Sequence, residues 1–203
     1  MVTLANAGND FGQLAPMSEQ AKQVLGVEAL EVVADAGYHT EADIARCEQQ
    51  QTTVYVPIPA KVQADAEDRL PGRAFQYNAA VDVYTCLGGQ TLSPSGKPQL
   101  KNGTRRQRYQ SQAQRCAECP LRSACLPQKT PVRQIYRSEH ADALERHRRR
   151  MAGATDKMRQ RAALCEHPFG TMKRWLGWDH FLVRGFEKVR GEMALLVQCY
   201  NCK

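Results

Sequence analysis

The sequence predicts an α/β protein: an α/β core, interrupted by a small β-rich insertion and followed by a helical C-terminal part. Three observations predict it. Residues 1–58 alternate helix-like and strand-like patterns, the grammar of an α/β layer. Residues 59–137 are polar, rich in Gly, Pro and Gln, and hold four of the eight cysteines among short β-type runs. Residues 138–203 carry helical spacing. A chain of 203 residues suits one domain with a sizeable insertion. Its 42% hydrophobic and 24% charged content argues against disorder.

The elements follow in order. Met17 to Leu25 (MSEQAKQVL) reads as a short helix with Ala21, Val24 and Leu25 facing inward. Ala29 to Ala34 (ALEVVA) is a short apolar run and reads as a buried strand, broken by Asp35-Ala36-Gly37-Tyr38. Thr40 is an N-cap with Asp43 three residues on, and the helix runs to Cys47 or Gln50. Thr53 to Val56 is β-branched and aromatic, a second strand ended by Pro57 and Pro59. In the insertion, Val81–Cys86, Gln107–Gln110 and Val132–Arg137 are strand candidates. Ser138 caps a helix over Glu139 to Arg150 with Leu144 inward. Asp156 to Trp175 is helical with an interruption at Pro168-Phe169-Gly170, and Phe186 to Tyr200 is an amphipathic helix that buries Val189, Met193, Leu196 and Val197.

Charge is distributed unevenly. Residues 1–70 carry four basic side chains against eleven acidic ones, a net of −7; the remainder carries 24 against ten, a net of +14. Lys101, Arg105, Arg106 and Arg108 form one basic cluster and Arg146, Arg148, Arg149 and Arg150 another. Such asymmetry points either to a polyanion such as nucleic acid, whose phosphates these side chains neutralise, or to a solvated basic face. No apolar run approaches the length of a membrane helix. The opening MVTLANAGND lacks the basic and apolar regions of a secretory signal. The expectation is a cytoplasmic protein with no membrane role. Collagen and coiled coil are excluded, and a disulfide-stapled secreted module is not expected, because the eight Cys come without a secretory address.

Three constellations can carry chemistry. Asp35 stands at the C-terminal end of a strand, the edge of an α/β sheet where ligands and ions bind; a turn-forming Asp is the alternative. Glu166 has Arg161 before it and Lys173 two helical turns after it, so carboxylate and cations share a phosphate-handling surface; ordinary ion pairing on an exposed helix is the alternative. Cys116-x2-Cys119-x5-Cys125 with Cys86 upstream supplies four thiolates, the number a closed structural zinc site uses. Free thiols, an iron–sulfur cluster or disulfides remain open for these four. Cys47, Cys165, Cys199 and Cys202 read as buried or fraying thiols. His39 and His167 read as loop and helix residues beside the candidate carboxylates, and Trp175 and Trp178 as packing anchors.

Two strings resemble the DDE-type transposases of bacterial insertion sequences. VVADAGYHTEADIARCEQQQTTVYVP is similar to the region around their second catalytic Asp, and ALCEHPFGTMKRWLGWDHFLVRGFEKVRGEMALLVQCYN to their C-terminal segment with the catalytic Glu. NAGNDFGQLAPM resembles the stretch before that Asp. The resemblance implies a partial RNase H-like fold, in the branch with a Cys-bearing insertion before the Glu. It implies Asp35 and Glu166 as catalytic carboxylates that hold Mg2+ or Mn2+ for DNA cleavage and strand transfer. Arg161 and Lys173 then match the basic residues that flank the Glu, and Met158 stands where the family's signature has Tyr. Arg105, Arg106 and Arg148 are further candidates for phosphate binding.

The family's first Asp lies on an upstream strand, and neither Asp10 nor Asp82 has the context to replace it. The expectation is therefore a C-terminal portion, with segments 1–58, 59–137 and 138–203, inactive alone. Its partners would be transposon-end and target DNA, with further copies of the chain on DNA or an upstream transposase piece. A non-catalytic nucleic-acid-binding protein and a decayed transposase remnant are the other readings.

Overall fold

Leu14–Leu25 forms the first helix, α1, in the computed structural model, which describes residues 10–59, 69–175 and 177–202, with the backbone alone for Cys165, Glu166 and Trp175. Gly26 ends α1 in the left-handed region (φ +66°), where its N–H donates to Lys22 O. A short strand follows, β1 (Leu30–Val33), then helix α2 (Glu41–Gln49) and strand β2 (Thr52–Tyr55). The two strands pair in parallel, from Leu30 opposite Thr52 to Val33 opposite Tyr55. Thr40 caps α2: its Oγ1 accepts from Asp43 N at 3.1 Å and donates to Asp43 Oδ2 at 3.0 Å.

The chain divides into two units, Met1–Pro57 with Ala143–Lys203, and Ile58–Asp142. In the first, Leu14 and Ala15 of α1, Ile44 and Cys47 of α2, Val54 and Val56, and Leu144 form one buried cluster. Leu144 belongs to α5 (Ala141–Ala152), which α6 (Thr155–Arg161) follows. A π-helical turn at Ala162–Glu166 then leads into α7 (His167–Trp175). The last helix, α8 (Phe186–Asn201), buries Met193 and half-buries Val189, Leu196 and Val197.

Three expectations for this unit change. The buried face of α1 is Leu14, Ala15 and Ser18, one helical turn, whereas Val24 and Leu25 are 64% and 62% exposed. Strand β1 is half-buried, with Glu31 exposed. The break in the C-terminal helix is the π-helical turn before Pro168, and Pro168 itself sits in the first turn of α7, where its missing N–H costs little.

The second unit is antiparallel. Its strands are β3 (Gln76–Asn78), β4 (Val83–Thr85), β5 (Thr91–Pro94), β6 (Gln99–Lys101), β7 (Thr104–Gln110) and β8 (Gln134–Ser138). They order as β3-β4-β5-β7-β6, with β8 on β7. Asn102 and Gly103 turn β6 into β7, both at positive φ (51° and 75°), the signature of a two-residue hairpin. Phe75, Tyr84, Leu92 and Tyr109 are its buried cluster. Asp82, itself at φ +50°, accepts the hydroxyls of Tyr77 and Tyr109, and Arg137 stacks over Tyr77 at 3.6 Å. Two short helices, α3 (Ala113–Ala117) and α4 (Arg122–Cys125), lie between β7 and β8. The architecture is mixed α/β, the class the sequence predicts.

Candidate functional site

The apolar residues of β1 fix where its end lies, and Asp35 follows directly. Ala34 N still donates to Tyr55 O, so Asp35 is the first residue beyond the parallel ladder. Its carboxylate is exposed and caps the turn at Ala36–Tyr38, with Oδ1 accepting from Gly37 N at 2.7 Å. One oxygen of Asp35 thus has a local role, and the position is also the carboxyl edge of a β-α-β unit. A Cβ added at Gly37 would lie 3.0 Å from Asp35 Oδ1 and 3.3 Å from Asp10 Oδ2. Two carboxylates therefore converge over a residue that has no side chain. Asp10 has no strand context in the sequence, and only the Gly two residues after Asp35 hints at this close approach.

The helix that leads to Glu166 is tied to the strand that leads to Asp35. Lys157 of α6 pairs with Glu31 of β1, and Tyr55 Oη donates to Glu31 Oε1 at 3.3 Å. The Lys157 hydrogen bond holds Glu31 below the usual carboxylate range. Helix α6 packs on β1, and the chain passes from its end directly into the π-helical turn that contains Glu166. The Glu166 side chain lies outside the described residues. Helix α5 docks on the same unit: His147 is fully buried, with Nε2 2.9 Å from Val56 O, and Arg150 Nε donates to Val54 O at 3.1 Å. Burial holds the ring of His39, 5.8 Å from that of His147, below its ordinary value, and Arg148 pushes it the same way.

The candidate phosphate-binding residues fall in both units. Arg148, Arg161 and Lys173 are on α5, α6 and α7; Arg148 and Lys173 are exposed, and Arg161 is half-buried. Arg105 and Arg106 belong to β7 of the other unit, where neighbours in sequence face opposite sides. Arg105 is exposed and Arg106 half-buried.

Cys86, Cys116, Cys119 and Cys125 line one cavity of about 30 Å3 in the second unit. Burial pushes the Cys125 thiol up, Arg133 pulls it down, and Cys116, Cys86 and Cys119 push it up again. Among the described residues, no group of three or more His, Cys, Asp or Glu side chains is placed to hold a metal ion, these four cysteines included.

The family model described as "Transposase DDE domain" matches residues 85–203, more than half of the chain. The chain belongs to the transposase DDE domain family. No curated protein and no solved structure matches it. The matched stretch contains Glu166, Arg161, Lys173 and all four cavity cysteines; Asp35 lies before it. Membership in this transposase family makes DNA the partner class and divalent metal the class of cofactor. No helix among the described residues is long and apolar enough to cross a membrane.

Proposed function

We propose that Asp35 and Glu166 are carboxylates of a divalent-metal site for DNA strand cleavage and transfer. The observation that carries this reading is the Lys157–Glu31 pair, which anchors the helix entering the Glu166 turn to the strand ending at Asp35. Asp35 is exposed at the edge where cations are held in α/β sheets, and π-helical turns recur at functional sites. Carboxylate oxygens are the donors that Mg2+ and Mn2+ prefer. Bound there, the metal would activate a water or a 3′-hydroxyl and neutralise charge on the phosphate. Arg161 and Lys173, on the helices either side of the turn, would hold the DNA backbone as charge-assisted donors.

Two metal ions on opposite sides of a phosphorus need a third carboxylate, and the resemblance assigns only two here. The 203-residue chain on its own is therefore expected to cut poorly. Binding and cutting can be tested separately. Fe2+ substituted for Mg2+, with ascorbate and peroxide, should cleave the polypeptide near residues 35 and 166; Mg2+ should compete, and Asp35→Asn should abolish the cuts. Cleavage elsewhere, or cuts unchanged in Asp35→Asn, rejects the site. Mn2+-dependent nicking of a supercoiled plasmid should be undetectable; vigorous nicking lost in Glu166→Gln would overturn the inactivity of the isolated chain while supporting Glu166 itself.

A further inference from the structure

We propose that Cys86, Cys116, Cys119 and Cys125 bind one structural zinc ion that fastens the helical excursion between β7 and β8 to the β4–β5 hairpin. The proposal concerns the second unit only and is independent of the carboxylate site.

The thiols come from separate pieces of chain, which the Arg115–Gln90 side-chain hydrogen bond also links. Helices α3 and α4 have five and four residues, no side-chain N-cap and no buried residue. Helices this short do not persist by propensity alone. The unit has four residues in its buried cluster, and small scaffolds of this kind commonly add a metal or disulfide staple. Cys116, Cys119 and Cys125 all lie on or beside these two helices, and Cys86 lies at the start of the hairpin turn opposite.

That turn closes around Cys86. Cys86 N donates to Gln90 O, Gly89 N donates to Cys86 O, and Gln90 N donates to Cys86 Sγ at 3.3 Å. The backbone N–H of Gln90 thus fixes where the Cys86 sulfur sits. A Cβ on Gly88 would stand 3.2 Å from Cys119 Sγ and 3.7 Å from Cys86 Sγ, so the bare backbone lets two sulfurs from different segments close on one point. Cys116 Sγ lies 3.0 Å from Ser111 Oγ, a second polar partner for a thiolate.

The electrostatics fit an ion rather than an empty apolar cavity. Zinc with four thiolates carries a net charge of −2. Arg115, Arg122 and Arg133 line the cavity and supply compensating charge. Their guanidiniums are anchored on Gln90 Oε1, Thr130 O, and Cys125 O with Leu70 O, so they frame the cavity rather than fill it. The cavity has room for one ion. Binding requires the thiols to release their protons and to rotate inward from their present positions. With all four positions taken by sulfur, none is left for a water, which makes the role structural.

The test uses the whole chain, purified under reducing conditions. Metal analysis and native mass spectrometry should show about one zinc per chain. Exchange for Co2+ should give intense sulfur-to-cobalt charge-transfer bands and the visible bands of a tetrahedral ion. Cys119→Ser should lose the metal, whereas the double variant Cys199→Ser with Cys202→Ser should keep it. If Cys119→Ser does not fold, the cobalt spectrum of the unsubstituted chain decides. A folded chain without zinc that takes up no cobalt overturns the proposal. So does a disulfide between any two of the four cysteines, or metal retained in Cys119→Ser and lost with the C-terminal pair.

Discussion

His147 shows how a single residue can matter without leaving a local mark in the sequence. Its ring is fully buried and Nε2 meets Val56 O, 91 positions away, so that nitrogen must carry the proton. Nδ1 is buried with no partner. Protonating it would place an unpaired charge in the interior, beside Arg150 and His39, and burial pushes the pKa down to about 4. The folded value lies below the ordinary 6.5, so the stabilisation from the neutral ring is whole above that pH and is lost as pH falls toward 4. The full loss is roughly 3 kcal/mol. Urea unfolding across pH 4 to 7 should show this fall, and His147→Gln, which keeps a donor for Val56 O, should flatten it. Equal pH slopes in the two proteins would show that His147 does not titrate in this way. Asp35, by contrast, was legible, because the apolar run before it and the turn after it mark a strand end. Its closeness to Asp10 was not, because it depends on how the chain returns over Gly37.

Among elements, α2 was legible from its first four residues. Thr40 caps the helix as its type and position announce, and Asp43 meets the Thr40 hydroxyl rather than the backbone N–H of a full capping box. Thr40→Ala should cost about 1 kcal/mol of unfolding free energy, read by urea denaturation, with Thr40→Ser recovering most of it. If Thr40→Ala is neutral, α2 is held by Ile44 and Cys47 packing alone. Helix α1 was located but its face was not, because Val24 and Leu25 look like core residues by type. Leu14 and Ala15, lying before the stretch assigned to the helix, fill that role. In the antiparallel unit, β3, β5 and β6 were missed because each is short and, unlike Val83–Thr85 of β4, carries no run of β-branched and aromatic side chains. The Asn102-Gly103 pair was the available signal for the β6–β7 hairpin.

At the scale of the molecule, the charge asymmetry acquires a second meaning. The acidic N-terminal and basic C-terminal segments belong to one unit and pair there: Arg146 and Arg150 with Glu48, and Lys157 with Glu31. Residues 1–57 and 143–203 together carry 15 basic and 14 acidic side chains, a net of +1, whereas residues 58–142 carry 13 and seven, a net of +6. Most of the excess positive charge that could release counterions from DNA therefore lies on the antiparallel unit, while part of the Arg146–Arg150 cluster is committed to holding the other unit together. Arg105 is the exposed candidate on β7, and Arg106 faces the opposite side. Binding to a random-sequence duplex should weaken steeply with salt, and Arg105→Gln should make the slope of log Kd against log salt shallower by about one. Arg146→Gln should leave that slope unchanged and lower the unfolding free energy instead, because its bidentate contact to Glu48 ties α5 to α2. Fluorescence anisotropy with the three proteins side by side separates the two roles. A slope altered by Arg146→Gln and not by Arg105→Gln would move the polyanion-binding face to the C-terminal helices.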